Sequence, residues 1–309
     1  MHPLRSQHHH TIKSPEQECD RTAAPDAGGS RMPNSVQHRL GAQRAAITDE
    51  PASASRAGIG RDGRLGFDDC SEAQRRFRAL LALHVFNTSN MPEPFGSGSA
   101  AAFLTYTVAM SPRHDQLVVI RPNAIENLTG RLVPDRDGEF GVAGLRVAAI
   151  VPYRTHHLVH VPTGARLVIT HRPLFPSAEA VAARRGAPRG WGPTPDVPLS
   201  ASEQAAIAIA DSFSVPMQRL LAGLMVRVNA NDPGGKWTLW HWSTSVSQLD
   251  GTGDQCELRW TRSPEPHHIA AALTDPVAGI PGATSMLGGY GAYTDIMLDG
   301  ARLRLRHNG

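Results

Sequence analysis

With 309 residues, 40% of them hydrophobic, and a formal charge of +3, the chain is long enough to bury a substantial core, and its length favours two domains. No stretch approaches the roughly 18 to 20 apolar residues of a membrane span, and no apolar run follows His8, His9, His10 and Lys13, so neither a transmembrane helix nor a secretory signal is expected and the location expected is cytoplasmic. Cys19, Cys70 and Cys256 are widely separated and odd in number, which excludes a disulfide framework and a zinc ribbon; carboxylates beside Cys70 disfavour its thiolate.

Residues 1–66 hold few large apolar side chains among Pro, Gly, Ser, His and Arg, and predict a disordered N-terminal tail, within which Met32 is a second candidate start besides Met1. An N-cap signal, Asp69-Cys70-Ser71-Glu72, opens a helix carrying Phe77, Leu80, Leu81, Leu83 and Val85. A Pro, Gly and Ser-rich loop over 87–99 precedes β-like runs at 102–110, 116–121 and 145–151 and a hairpin over 156–170. Prolines and glycines crowd residues 173–199, marking a linker with one short helix at 177–185. Past it, Ser200-Ala201-Ser202-Glu203 reads as a capping box, Pro216 suits the first turn of a second helix, strands are expected at 237–245 and 256–261, and a short helix at 267–273 leads to a final hairpin.

The octapeptide Gly164-Ala165-Arg166-Leu167-Val168-Ile169-Thr170-His171 recurs as Gly300-Ala301-Arg302-Leu303-Arg304-Leu305-Arg306-His307, each copy reading as the return strand of a hairpin. Both halves also run helix, strands, short helix, hairpin. The expected fold is therefore α+β, antiparallel sheets with packed helices, built as two related halves at 67–172 and 200–309; two unrelated hairpins sharing common turn chemistry is the alternative.

Positive charge is carried almost entirely by arginine, since Lys13 and Lys236 are the two lysines. From residue 67 onward 22 basic residues face 21 acidic ones, so overall charge is uninformative. Residues 146–190, however, hold seven arginines (146, 154, 166, 172, 184, 185, 189) against Glu179 alone. In the final strand Arg302, Arg304 and Arg306 alternate with leucines, so strand geometry puts three guanidinium groups on one face, either as a platform for phosphates or carboxylates or as a charged edge that resists aggregation. Trp240, Trp242 and Trp260 are candidates for stacking bases or sugars, with core packing as the alternative.

With Thr163-Gly164 as a two-residue turn, His156 opposes His171 and His160 shares their face, two corners of a divalent metal site that needs a third ligand; paired histidines on a basic sheet are the plainer reading. Gly96-Ser97-Gly98-Ser99-Ala100-Ala101 lacks the preceding strand of a dinucleotide fingerprint, and Gly234-Gly235-Lys236-Trp237 lacks the spacing of a phosphate loop. There is no Gly-x-Ser-x-Gly elbow and no His-Glu-x-x-His, so the balance is against an enzyme. Asn87-Thr88-Ser89 and Asn127-Leu128-Thr129 match the glycosylation sequon, which means little without a secretory signal.

The leading expectation is a non-catalytic binding protein for an anionic partner (a phosphorylated ligand, nucleic acid or an acidic protein) using Arg154, Arg166, Arg172, Arg302, Arg304 and Arg306. The alternative is a metal-assisted hydrolase using His156, His160 and His171; a second alternative is a protein-interaction or secretion-chaperone module. Residues 116–134, a strand followed by Arg121-Pro122 and an Ile-Leu helix ending at Leu132-Val133-Pro134, faintly resemble parts of actinobacterial EspG-type secretion chaperones. The likeness spans under a tenth of the chain and assigns no functional residue.

Overall fold

The computed structural model describes residues 34–87, 107, 109–121, 125–135, 141–172, 174–185, 192–227, 247–261, 264–289 and 292–308. Its first elements fall inside the stretch expected to be a tail: α1 (Asn34–Thr48) and α2 (Ala52–Ala57). A single buried side chain explains their order. Arg44 is 0% exposed; its Nε and Nη2 donate to Glu50 Oε1 at 3.0 and 2.9 Å, and its remaining donors reach the carbonyls of Gly58, Leu65 and Pro112. The absence of large apolar side chains hid this, because the segment is held by a guanidinium network around Leu65 and Phe67. Gly58 is required there, since a Cβ would lie 2.3 Å from Arg44 Cζ.

The capped helix appears as α3 (Glu72–Phe86), with Ser71 Oγ accepting from the Gln74 backbone N–H. There follow β1 (Ala109–Pro112), β2 (Gln116–Ile120), α4 (Ile125–Leu132), β3 (Leu145–Val151), β4 (Thr155–His160) and β5 (Ala165–Thr170). The first sheet has the order β1-β2-β5-β4-β3. Then come α5 (Ala178–Arg185), α6 (Ala201–Asp211), α7 (Val215–Val226), β6 (Ser247–Thr252), β7 (Gln255–Trp260), α8 (Pro266–Leu273), β8 (Thr284–Gly288), β9 (Tyr293–Leu298) and β10 (Ala301–His307), and the second sheet is ordered β6-β7-β10-β9-β8. Each half is thus a helix, a two-stranded hairpin, a short helix and a three-stranded meander. The last strand returns to the middle of the sheet, parallel to the second: β5 lies along β2 and β10 along β7. The sheets are accordingly mixed rather than purely antiparallel, and the echoed octapeptide supplies the central strand of both.

The capping box at the start of α6 is formed, and Pro216 lies in the first turn of α7. One core runs through both halves, from Phe77, Leu81, Leu117 and Leu167 to Leu221, Leu258 and Leu303, and α3 packs against α7. Asn87, just past α3, ties the halves as a strand residue would: its Nδ2 donates to Leu83 and Leu249 carbonyls and its Oδ1 accepts from the Leu249 N–H at 2.8 Å. At 1% exposure this asparagine is closed to glycosylation in the folded protein. The expected strand at 237–245, both glycine motifs, and Trp240 and Trp242 lie outside the described residues.

The two sheets differ on their outer faces. In β5 the inward Leu167 and Ile169 join the shared core, while the outward Val168 packs with Ala54, Ala109, Val118 and Ile120 beneath α2 and Phe175. In β10 the strict Arg-Leu alternation leaves Leu303 and Leu305 fully buried and the arginines on an uncovered face. The edge strand β8 is exposed along most of its length, Met286 and Leu287 included.

Candidate functional site

The β3–β4 turn, the residues just after β5, and α5 converge on one positively charged cavity. Tyr153 holds a left-handed backbone (φ 55°) in that turn, and the Arg154 N–H donates to Val151 O at 3.0 Å, which sends the Arg154 side chain outward. Thr170, at the end of β5, clamps both sides: its Oγ1 lies 3.1 Å from the Arg154 carbonyl and accepts from the Arg172 N–H at 3.1 Å. Arg154 and Arg172 are exposed, and α5 brings Arg184 to the same place. Together they line a cavity of about 240 Å³ whose other walls are Val151, Thr155, Leu174, Phe175, Pro176, Ala180 and Val181; among the described residues no carboxylate lines it. Glu126 comes near by accepting the Tyr153 N–H at 3.1 Å.

This cavity brings together two of the six arginines singled out from the sequence, Arg154 and Arg172. Arg184 was visible only as one of the seven in the basic stretch; its place on a helix crossing the strand ends is a tertiary fact. Arg146, counted in the same stretch, is buried at 1% exposure and bound by Glu203, with Nη1 to Oε1 at 2.6 Å and Nη2 to Oε2 at 2.9 Å. Arg166 pairs with Glu179 at 3.2 Å. The local charge excess is therefore smaller on the surface than in the sequence, because Glu203 lies outside the basic stretch and folds back onto it.

Arg302, Arg304 and Arg306 do share a face of the second sheet, but carboxylates interleave with them. Arg304 makes a bidentate pair with Asp295 (2.8 and 3.0 Å) and lies 3.9 Å over the Tyr293 ring; Arg306 stands 3.9 Å from Glu257, and Arg259 nearby is held by Asp250. Such a face is largely self-compensated.

The histidines do not assemble. The hairpin turns over four residues, so His160 pairs with Ala165 and His156 with Ile169, and the expected His156–His171 opposition is absent. His156 is buried with Nδ1 2.7 Å from Thr129 Oγ1, and His160 is buried with Nδ1 2.8 Å from Thr163 Oγ1 and its ring against Phe77. Burial pushes both down to about 4, so both are neutral at pH 7. His171 instead serves the arginine cavity: Arg172 Nε donates to its Nε2 at 3.3 Å, which leaves Nδ1 to donate to the Arg154 carbonyl at 3.1 Å. Among the described residues no three His, Cys, Asp or Glu side chains are placed to hold a metal. Burial raises the Cys70 thiol, and Cys256 is raised likewise, so neither is an activated nucleophile. Trp260 is 1% exposed with Nε1 donating to Pro264 O at 2.8 Å, so its faces meet core rather than ligand.

No family model, curated protein or solved structure matches the chain.

Proposed function

We propose that the protein is a non-catalytic binding protein for an anionic, phosphate-bearing ligand, held at the cavity lined by Arg154, Arg172 and Arg184. The observation that carries this reading is the convergence of three guanidinium groups on about 240 Å³ with no lining carboxylate among the described residues. The volume suits one phosphate or pyrophosphate group, and lies below the roughly 300 to 1,000 Å³ of pockets that enclose whole small ligands, so the remainder of the ligand would lie outside. Guanidinium forks match phosphate oxygens bidentately, and the Thr170 and His171 contacts hold the backbone around Arg154 and Arg172 before any ligand arrives. The self-compensated Arg302, Arg304 and Arg306 face adds little to this attraction.

Calorimetric titration with inorganic pyrophosphate tests the reading. Binding should weaken steadily with added salt, and Arg154→Gln, Arg172→Gln and Arg184→Gln should each raise Kd at least about tenfold, since a hydrogen bond to a charged group is worth roughly 1.5 to 3 kcal/mol. Failure of the wild-type protein to bind pyrophosphate at low salt, or a triple variant that binds as well as wild type, overturns it.

A further inference from the structure

A second, larger cavity of about 480 Å³ opens on the outer face of the first sheet. Its floor is the outward side of the sheet, with His157, Val159 and Val168, and its roof is the segment carrying Leu174, Phe175 and Ala178. Arg113, in the β1–β2 turn, contributes a guanidinium to the same cavity. We propose that this cavity binds a small apolar carboxylic acid, with the carboxylate on Arg113 and the hydrocarbon between the sheet and Phe175.

Arg113 is the first reason. Its Nε and Nη2 are buried and have no hydrogen-bond partner among the described residues, a state that is costly for a cation unless an anion is supplied. Burial lowers its pKa; the carboxylate whose field favours its charge, Glu50, is hydrogen-bonded to Arg44 instead. The Phe175 ring is the second reason. It lies 5.6 Å from the Arg113 guanidinium and 5.9 Å, edge to face, from the His157 ring, so one aromatic residue spans the distance from the charged end of the cavity to its floor. His157 is the third. It is 5% exposed; its ring is hydrogen-bonded to the Pro176 backbone and its Nε2 is unpartnered, which provides an acceptor for a ligand hydroxyl.

The wall chemistry selects the class of ligand. Beside the mutually paired Arg166 and Glu179 and the neutral Gln116 and Ser177, the walls offer one unpaired guanidinium among valines, leucines, alanines and phenylalanine, which matches one negative charge on an apolar body, whereas a phosphate dianion is better served by the three arginines of the neighbouring cavity. Arg166, the other cation here, is already paired with Glu179. The proposal is independent of the anion reading above, although Leu174 and Phe175 wall both cavities.

Titration of the full-length protein with octanoate, and with octanol as an uncharged probe of the same length, tests it. Octanoate should bind saturably and at least ten times tighter than octanol. Arg113→Gln should abolish that preference, and Val159→Trp, which fills the cavity from the sheet and leaves Arg113 in place, should abolish octanoate binding altogether. Pyrophosphate binding at Arg154, Arg172 and Arg184 should be unchanged in both variants, which separates failure of this site from failure of the other. No saturable octanoate binding by the wild-type protein, equal affinity for octanoate and octanol, or full octanoate binding by Val159→Trp overturns the proposal; should Arg113→Gln not fold, the octanol comparison and Val159→Trp decide it.

Discussion

Acid should weaken this protein well above the pH at which its carboxylates titrate, because burial holds His84, His156 and His160 neutral and lowers His157 in the same direction. His84, His156 and His160 are each held at about 4 by burial, against an ordinary value of 6.5. As pH falls through 6.5 the unfolded chain takes up a proton at each, while the folded chain does not until about pH 4. Stability present above 6.5 is therefore lost progressively as pH drops across that window. Between pH 7.5 and 5.5 the linkage amounts to about 1.3 kcal/mol per histidine, or about 4 kcal/mol for the three, against a total stability of roughly 5 to 15 kcal/mol. The lowered carboxylates Asp69 and Glu203 contribute stability that is lost only as pH falls below their ordinary values of 3.8 and 4.5, so they leave this interval untouched. Urea unfolding followed by tryptophan fluorescence at pH 7.5, 6.5 and 5.5 measures the effect; with a slope of roughly 3 kcal/mol/M the midpoint should fall by about 1.3 M. His84 offers the control, since neither of its ring nitrogens has a partner among the described residues. His84→Leu should remove about 1.3 kcal/mol of the pH dependence and, by deleting an unsatisfied buried polar group, leave the protein at least as stable at pH 7.5. A midpoint that does not move between pH 7.5 and 5.5 would refute the reasoning.

Glu203→Gln should cost about 3 to 5 kcal/mol in thermal or urea unfolding, because it leaves the Arg146 guanidinium buried without its carboxylate while the α6 cap can persist through a glutamine; a loss below about 1 kcal/mol would show that the pair is dispensable. Gly66→Ala and Gly164→Ala form a matched test, since both positions have φ +72°, but a Cβ at Gly66 meets Gly58 O at 2.1 Å and one at Gly164 meets nothing within 4 Å. The turn variant should lose about 1 kcal/mol from backbone strain alone, and Gly66→Ala distinctly more; equal losses would mean the loop at Gly66 yields freely.

Local chemistry was legible without the fold. Ser71, Ser200 and Ser214 accept the N3 amides of their helices, Gly164 and Gly300 take the positive φ of their turns, and the Leu303 and Leu305 alternation with arginine predicted one buried and one open face of β10. Each depends on neighbours within a few residues. The echo of residues 164–171 at 300–307 also fell on the strand at the centre of each sheet.

Partners distant in sequence decided the rest. The stretch over residues 34–66 appeared too polar to fold, yet Arg44 draws four segments of chain together, and no composition count reports a satisfied buried guanidinium. The two-residue turn assumed at Thr163-Gly164 became four, because the Thr163 and Gly164 amides both bond back to the His160 carbonyl, and the resulting register of β4 on β5 separated the histidines that a metal would have needed. Sequence alone therefore determined the capped helices from Glu72 onward, the return strands of the two hairpins and where arginine accumulated. Only the tertiary structure decided which arginines are neutralised by Glu203, Glu179 and Asp295 and which stay exposed around the cavity at Arg154, because a charge is cancelled by whatever carboxylate the fold brings within a few ångströms, however far away it lies along the chain.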